Sequence, residues 1–190
     1  MTPAVANCKE TVDSVAIGTS LYGLQMCRGG RELAMFLKVF AAKILDSNAL
    51  LESQGVGNAL YGLHARESSP ELRILLAALT PKILASTEPL GSQAVGNALY
   101  GLRWIDDCSE IRGVLVALAM KIQGSREPLG SQETGNALYG LQRVGHTDEA
   151  CQVLAALAPR IAASSEPLMP QHVGNALYGL QKAVGGVEVR

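Results

Sequence analysis

Apolar and polar positions recur along this chain with one long, fixed period. The string Gly-Asn-Ala-Leu-Tyr-Gly-Leu starts at Gly57, Gly96, Gly135 and Gly174, in steps of 39 residues. A looser copy, Gly18-Thr19-Ser20-Leu21-Tyr22-Gly23-Leu24, lies one step earlier. A second string runs from Glu71 to Leu79, with counterparts starting at Glu32, Glu110 and Glu149. A third, Glu-Pro-Leu, recurs at Glu88, Glu127 and Glu166. Self-similarity of this kind marks a stacked repeat array.

Each unit predicts two helices. The first runs roughly from Ser92 to Trp104 in the third copy. At about 100° per residue, Val56, Ala59, Leu60 and Leu63 share one face of the second copy, and Gln54, Asn58 and Tyr61 share the opposite one. The second helix runs roughly from Glu71 to Leu84, with a stripe of Leu72, Leu75, Leu76, Leu79 and Ile83. Ile74, Ala77 and Ala78 add a second small apolar side, as expected of a helix lying between layers. Ser68-Ser69-Pro70 and Ser86-Thr87-Glu88-Pro89 supply turn chemistry. Pro170 suits a first helical turn. Pro81 and Pro159 fall late in second helices and should kink or end them.

Ten of the 20 glycines occupy the two flank positions of the first helices. Each costs about 0.5–1 kcal/mol relative to Ala inside a helix, so close approach of neighbouring helices must offset them. The flanks then face the preceding and following units, and the Val/Leu face meets the second helix. The Gln/Asn/Tyr face is left outside. The expected fold is all-α, a right-handed α-solenoid of stacked antiparallel helix pairs. It forms one array over 1–190, with units at about 14–52, 53–91, 92–130 and 131–169 between partial units at 1–13 and 170–190. The chain opens part-way through a second helix and closes where another should begin. Further repeats or end-covering partners are therefore expected, because repeat arrays need capped ends.

Composition narrows the function classes. The 190 residues are 48% apolar and 17% charged, which suits a folded core rather than disorder. Sixteen basic residues balance 17 acidic ones, so a strongly basic nucleic-acid module is excluded. No apolar run approaches the ~18 residues of a membrane span. The first residues show neither a secretory signal nor an Arg-rich transit segment. Cys8, Cys27, Cys108 and Cys151 have no metal-ligand spacing and read as free thiols in an intracellular, reducing compartment.

The segment Leu168-Met169-Pro170-Gln171-His172-Val173-Gly174-Asn175-Ala176-Leu177-Tyr178-Gly179-Leu180 resembles the first helix of an octotricopeptide repeat. Gln171, Asn175 and Tyr178 match that family's Gln, Asn and Trp in register, and so do Gln54, Asn58 and Tyr61, then Gln93, Asn97 and Tyr100, then Gln132, Asn136 and Tyr139. The first copy, with Val15, Thr19 and Tyr22, keeps only the aromatic. The unit here is 39 residues rather than about 38, and the family's proline-rich stretch survives only in Ser68-Ser69-Pro70-Glu71. The resemblance implies RNA binding in chloroplasts or mitochondria, or an architectural place in an organellar ribosome.

No catalytic constellation accompanies the repeat. His64, His146 and His172 never recur at one position, and Ser53, Ser92 and Ser131 fit a first-turn or N-cap role. No enzyme, metal or cofactor is expected. The recurrent Asn58, Asn97, Asn136 and Asn175, with Tyr61, Tyr100, Tyr139 and Tyr178, form a ladder with two readings. It bridges adjacent units, or it grips a ligand generically through base stacking and amide pairing. Variable positions at the ladder's end are candidate readers: Met26, Ala65, Trp104, Arg143 and Lys182, beside Gln25, His64, Arg103, Gln142 and Gln181. Trp104 suits base stacking, and Arg143 and Lys182 suit phosphate. Lys43, Lys82, Lys121 and Arg160, near the ends of the second helices, form either a phosphate track or a favourable pairing with the helix dipole. The expected partner is single-stranded RNA along the first-helix layer. The alternative is a protein scaffold within a larger, organellar assembly that makes no RNA contact.

Overall fold

The computed structural model describes residues 2–27, 29–64 and 68–183, and among them the secondary structure is helical throughout. In chain order the helices are α1 (Thr2–Asn7), α2 (Ser14–Gly23), α3 (Arg31–Asp46), α4 (Ser53–Tyr61), α5 (Pro70–Ala85), α6 (Ser92–Gly101), α7 (Ser109–Gly124), α8 (Ser131–Tyr139), α9 (Asp148–Ala162) and α10 (Pro170–Leu180). Capping chemistry sets several starts. Asp13, Ser69 and Thr147 accept from the third residue on, at 2.7, 3.1 and 3.2 Å, and so begin α2, α5 and α9.

Two layers result. The even-numbered helices pack in series, α2 on α4, α4 on α6, α6 on α8 and α8 on α10. The odd-numbered helices do the same from α1 to α9. This arrangement fits an α-solenoid. The core lies between the layers. Val56, Leu60 and Leu63 from α4 and its turn, and Leu72, Leu75, Leu76, Leu79 and Ile83 from α5, are at most 1% exposed. Burying each such side chain contributes about 1.5–3 kcal/mol. Leu51, Leu90 and Leu129 on the connecting loops seal the same core from one edge.

The glycine flanks meet as their spacing requires. A β-carbon built on Gly57 would stand 2.9 Å from the Ala94 backbone of the following unit. One built on Gly101 would stand 2.0 Å from the Leu60 carbonyl oxygen of the preceding unit.

Two boundary expectations are corrected. Pro81 and Pro159 do not end their helices, since α5 runs on to Ala85 and α9 to Ala162. Burial of Ile83, 0% exposed, holds the last turn of α5 in place beyond the proline. The Thr80 hydroxyl donates to the Leu76 carbonyl in the turn before it, at 2.9 Å. The first helices, by contrast, are shorter than their periodicity suggests. α6 stops at Gly101, and the backbone tightens into i to i+3 bonds from Leu102 to Leu99 and from Arg103 to Tyr100. Trp104 therefore sits in a turn rather than on the helix.

Candidate interaction surface

The outer face of the even-numbered layer carries the residues singled out by the repeat, arranged in bands across the helices. The tyrosines form the middle band. Ring centroids are 5.7 Å apart for Tyr22–Tyr61, 5.8 Å for Tyr61–Tyr100, 6.0 Å for Tyr100–Tyr139 and 5.6 Å for Tyr139–Tyr178. Interplanar angles of 18–35° make this one continuous stack through five helices. Such contacts contribute about 0.5–1.5 kcal/mol per pair beyond area burial. Tyr61, Tyr100 and Tyr139 thus each have a ring neighbour on either side, and Tyr100 also carries the Arg103 guanidinium over its ring, which leaves little of these rings open to a base.

The variable positions fold back onto this stack. The His64 ring lies 4.9 Å from Tyr61, and its Nδ1 is 2.9 Å from the Tyr61 carbonyl. The Arg103 guanidinium covers Tyr100 at 3.9 Å and donates to the Tyr100 carbonyl at 3.1 Å. Burial there draws Arg103 below the usual guanidinium range, with Tyr100 acting in the opposite sense. Trp104, 37% exposed, has the Arg143 guanidinium 5.4 Å from its ring and that of Arg103 at 5.9 Å. Arg143 in turn is ion-paired with Asp106. Gln181 and Lys182 are exposed just beyond α10, as is Met26 beyond α2, while Ala65 lies outside the described residues. Gln142 is a correction. The turn over 140–146 folds it inward to 4% exposure, with Nε2 unpartnered, so it is not available to a ligand.

The amides form the second band. Asn58, Asn97, Asn136 and Asn175 are half-buried, and none of the hydrogen bonds among the described residues involves their side chains. It is the tyrosines that join neighbouring units across this face. Gln54, Asn58, Gln93 and Asn97 line a cleft of about 520 Å³ over α4 and α6. Its rim carries Glu52, Glu88 and Glu127. The face is therefore acidic at the helix starts and cationic and aromatic at the helix ends.

Recurrent side chains outside these bands bind elements distant in sequence to one another. Ser53, Ser92 and Ser131 are first-turn residues but not N-caps. Their hydroxyls accept from Gly91, Gly130 and Met169, at the entry to the next even-numbered helix, at 2.9, 3.4 and 2.9 Å. Glu88 and Glu166 of the Glu-Pro-Leu strings accept from the backbone nitrogens of Ser53 and Ser131 at the start of their own units, at 2.6 and 2.9 Å. The lysines reach the preceding unit: Lys43 donates to the Cys8 carbonyl, Lys82 to that of Ser47 and Lys121 to that of Ser86. Ser47 and Ser86 close α3 and α5, so these ammonium groups cap the preceding helix. Arg160 is half-buried with Nε unpartnered, and its carbonyl accepts from Leu129. Of the two readings of these cations, the phosphate track loses Lys43, Lys82 and Lys121, whose ammonium groups are turned to backbone carbonyls. Sequence reasoning missed this use of the Glu, Ser and Lys positions. The signal was their strict recurrence, which suits contacts within the array better than contacts with a variable ligand.

Among the described residues, no group of three His, Cys, Asp or Glu side chains is placed to hold a metal ion. No described helix is long and apolar enough to cross a membrane. No protein-family model matches the chain, and no curated protein matches it at a significant level.

Proposed function

We propose that this chain is a right-handed α-solenoid of antiparallel helix pairs that works as a protein-binding scaffold, with the outer face of the even-numbered layer as its ligand surface. Antiparallel pairing is supported by the short connections between helices, which bring each second helix back alongside the first. The observation that carries the functional reading is the state of the ladder. The interior tyrosine rings are engaged by one another, by His64 and by Arg103, while the amides beside them are unengaged and flanked by carboxylates. A polyanion is repelled by such a rim, and a neutral or basic protein segment is not. The octotricopeptide likeness supports an organellar assembly as its setting.

A second reading keeps RNA as the ligand, at the edge formed by Arg103, Trp104 and Arg143. It is favoured by one exposed indole standing beside two guanidiniums. Fluorescence anisotropy with labelled single-stranded RNA and with a labelled peptide pool, at several salt concentrations, separates the two. The scaffold reading expects peptide binding and no RNA affinity at low salt. RNA binding with a log–log salt slope of roughly −2 to −3 would instead select the RNA edge.

A further inference from the structure

We propose that the amide-lined cleft over α4 and α6 binds an extended, basic polypeptide segment through its main chain; this rests on the protein-scaffold reading above. The cleft holds about 520 Å³ and is built from Gln54, Asn58, Gln93 and Asn97, with Glu52 and Glu127 on its rim. The same Gln and Asn recur at Gln132, Asn136, Gln171 and Asn175. An element repeated unchanged in unit after unit matches a ligand whose own chemistry repeats unchanged. A carboxamide offers both a donor and an acceptor. The peptide unit repeats that same pair, whereas a nucleic-acid backbone repeats acceptors and negative charge.

The spacing agrees. Packed helix axes stand about 8–10 Å apart, which is two to three residues of extended chain at about 3.3 Å each. The carboxylates then select basic side chains flanking the gripped backbone. The first unit marks the edge of the site. There Val15 and Thr19 replace the Gln and Asn, the Thr19 hydroxyl is bonded to the Val15 carbonyl at 2.7 Å, and the space over α2 and α4 shrinks to about 90 Å³.

The test uses the whole chain and its Asn58→Ala/Asn97→Ala variant. Alanine keeps the Asn58 β-carbon that packs near Gly18, breaks no internal hydrogen bond, and is the better helix former. Three fluorescein-labelled probes are titrated by anisotropy: a nine-residue Lys/Ser peptide, its Glu/Ser counterpart and a nine-nucleotide oligouridine. The expected result is binding of the Lys/Ser peptide alone, weakened at least tenfold in the variant, whose unfolding midpoint stays at or above that of the parent. Equal peptide affinity in parent and variant would overturn the cleft assignment while leaving the scaffold reading in place. Binding of the Glu/Ser peptide as tightly as the Lys/Ser peptide, or of neither peptide, would overturn the inference. Binding of oligouridine alone would overturn the scaffold reading with it.

Discussion

The Leu21 carbonyl oxygen occupies the place where a β-carbon of Gly62 would be, 1.9 Å from it. The same relation joins Gly101 to Leu60, Gly140 to Leu99 and Gly179 to Leu138, at 2.0–2.1 Å. Backbone against backbone cannot be relieved by a rotamer change. Gly101→Ala is therefore expected to lower stability by about 1–3 kcal/mol or more through overpacking. Gly23 is helical, with nothing within 4 Å of its virtual β-carbon, and Gly23→Ala is expected to raise stability by about 0.5–1 kcal/mol. Urea unfolding of both variants checks the opposite signs. Equal effects would mean that the glycines do not serve close approach.

Lys82 caps α5's neighbour rather than a ligand. Lys82→Met keeps the aliphatic stem and removes the donor to the Ser47 carbonyl. Hydrogen bonds to charged groups contribute about 1.5–3 kcal/mol, and part exposure places this one toward the lower end. The variant should unfold at lower urea, while the salt dependence of any RNA association stays as in the parent. A shallower salt slope would return Lys82 to the phosphate track.

Acid should unmask one ion pair. Arg112 meets Asp107 through two hydrogen bonds, at 2.8 and 2.6 Å, and the His146 ring stands 3.7 Å away. The hydrogen bonds from Arg112 hold the Asp107 carboxyl below its usual range. A carboxylate whose folded-state pKa is lowered stabilises the fold above the ordinary carboxylate pKa, and that contribution fades as pH falls through the folded value. Thermal melts of the parent should therefore lose ground to Asp107→Asn as pH drops below about 4. Parallel melting curves for the two proteins over that range would contradict it.

Much of this architecture was legible in the sequence because identical units force identical surroundings. Gly62 and Gly101, Leu60 and Leu99, and Tyr61 and Tyr100 each occupy equivalent places, so one helical wheel served all of them. What escaped was the chemistry between elements distant in sequence. Lys82 and Ser47 are 35 residues apart, as are Glu88 and Ser53, and no local pattern announces which of many recurrent residues will meet. The period continues past Gly101 and so predicts a helix face for Trp104, although the backbone has already tightened into a turn there. Gln142 looked like a surface residue because its counterparts are polar, but the turn that follows α8 folds it inward.

Trp104 is the one tryptophan of the chain, so its emission reports on the edge of the face alone. Arg143→Ala removes the guanidinium beside the indole and should shift that emission to the red. Stability should change by no more than about 0.5 kcal/mol, because the Arg143–Asp106 pair is surface-exposed. Unchanged emission would mean that the ring and the guanidinium are not associated in solution.

Either band of the face could meet a ligand, and one ¹H–¹⁵N spectrum shows both bands at once. Side-chain NH₂ signals report the amides, and the indole N–H reports Trp104. On titration with the Lys/Ser peptide, the signals of Asn58 and Asn97 should move and saturate together while the Trp104 indole stays in place. An indole that moves with added RNA, while the amide signals stay still under the peptide, would contradict the account.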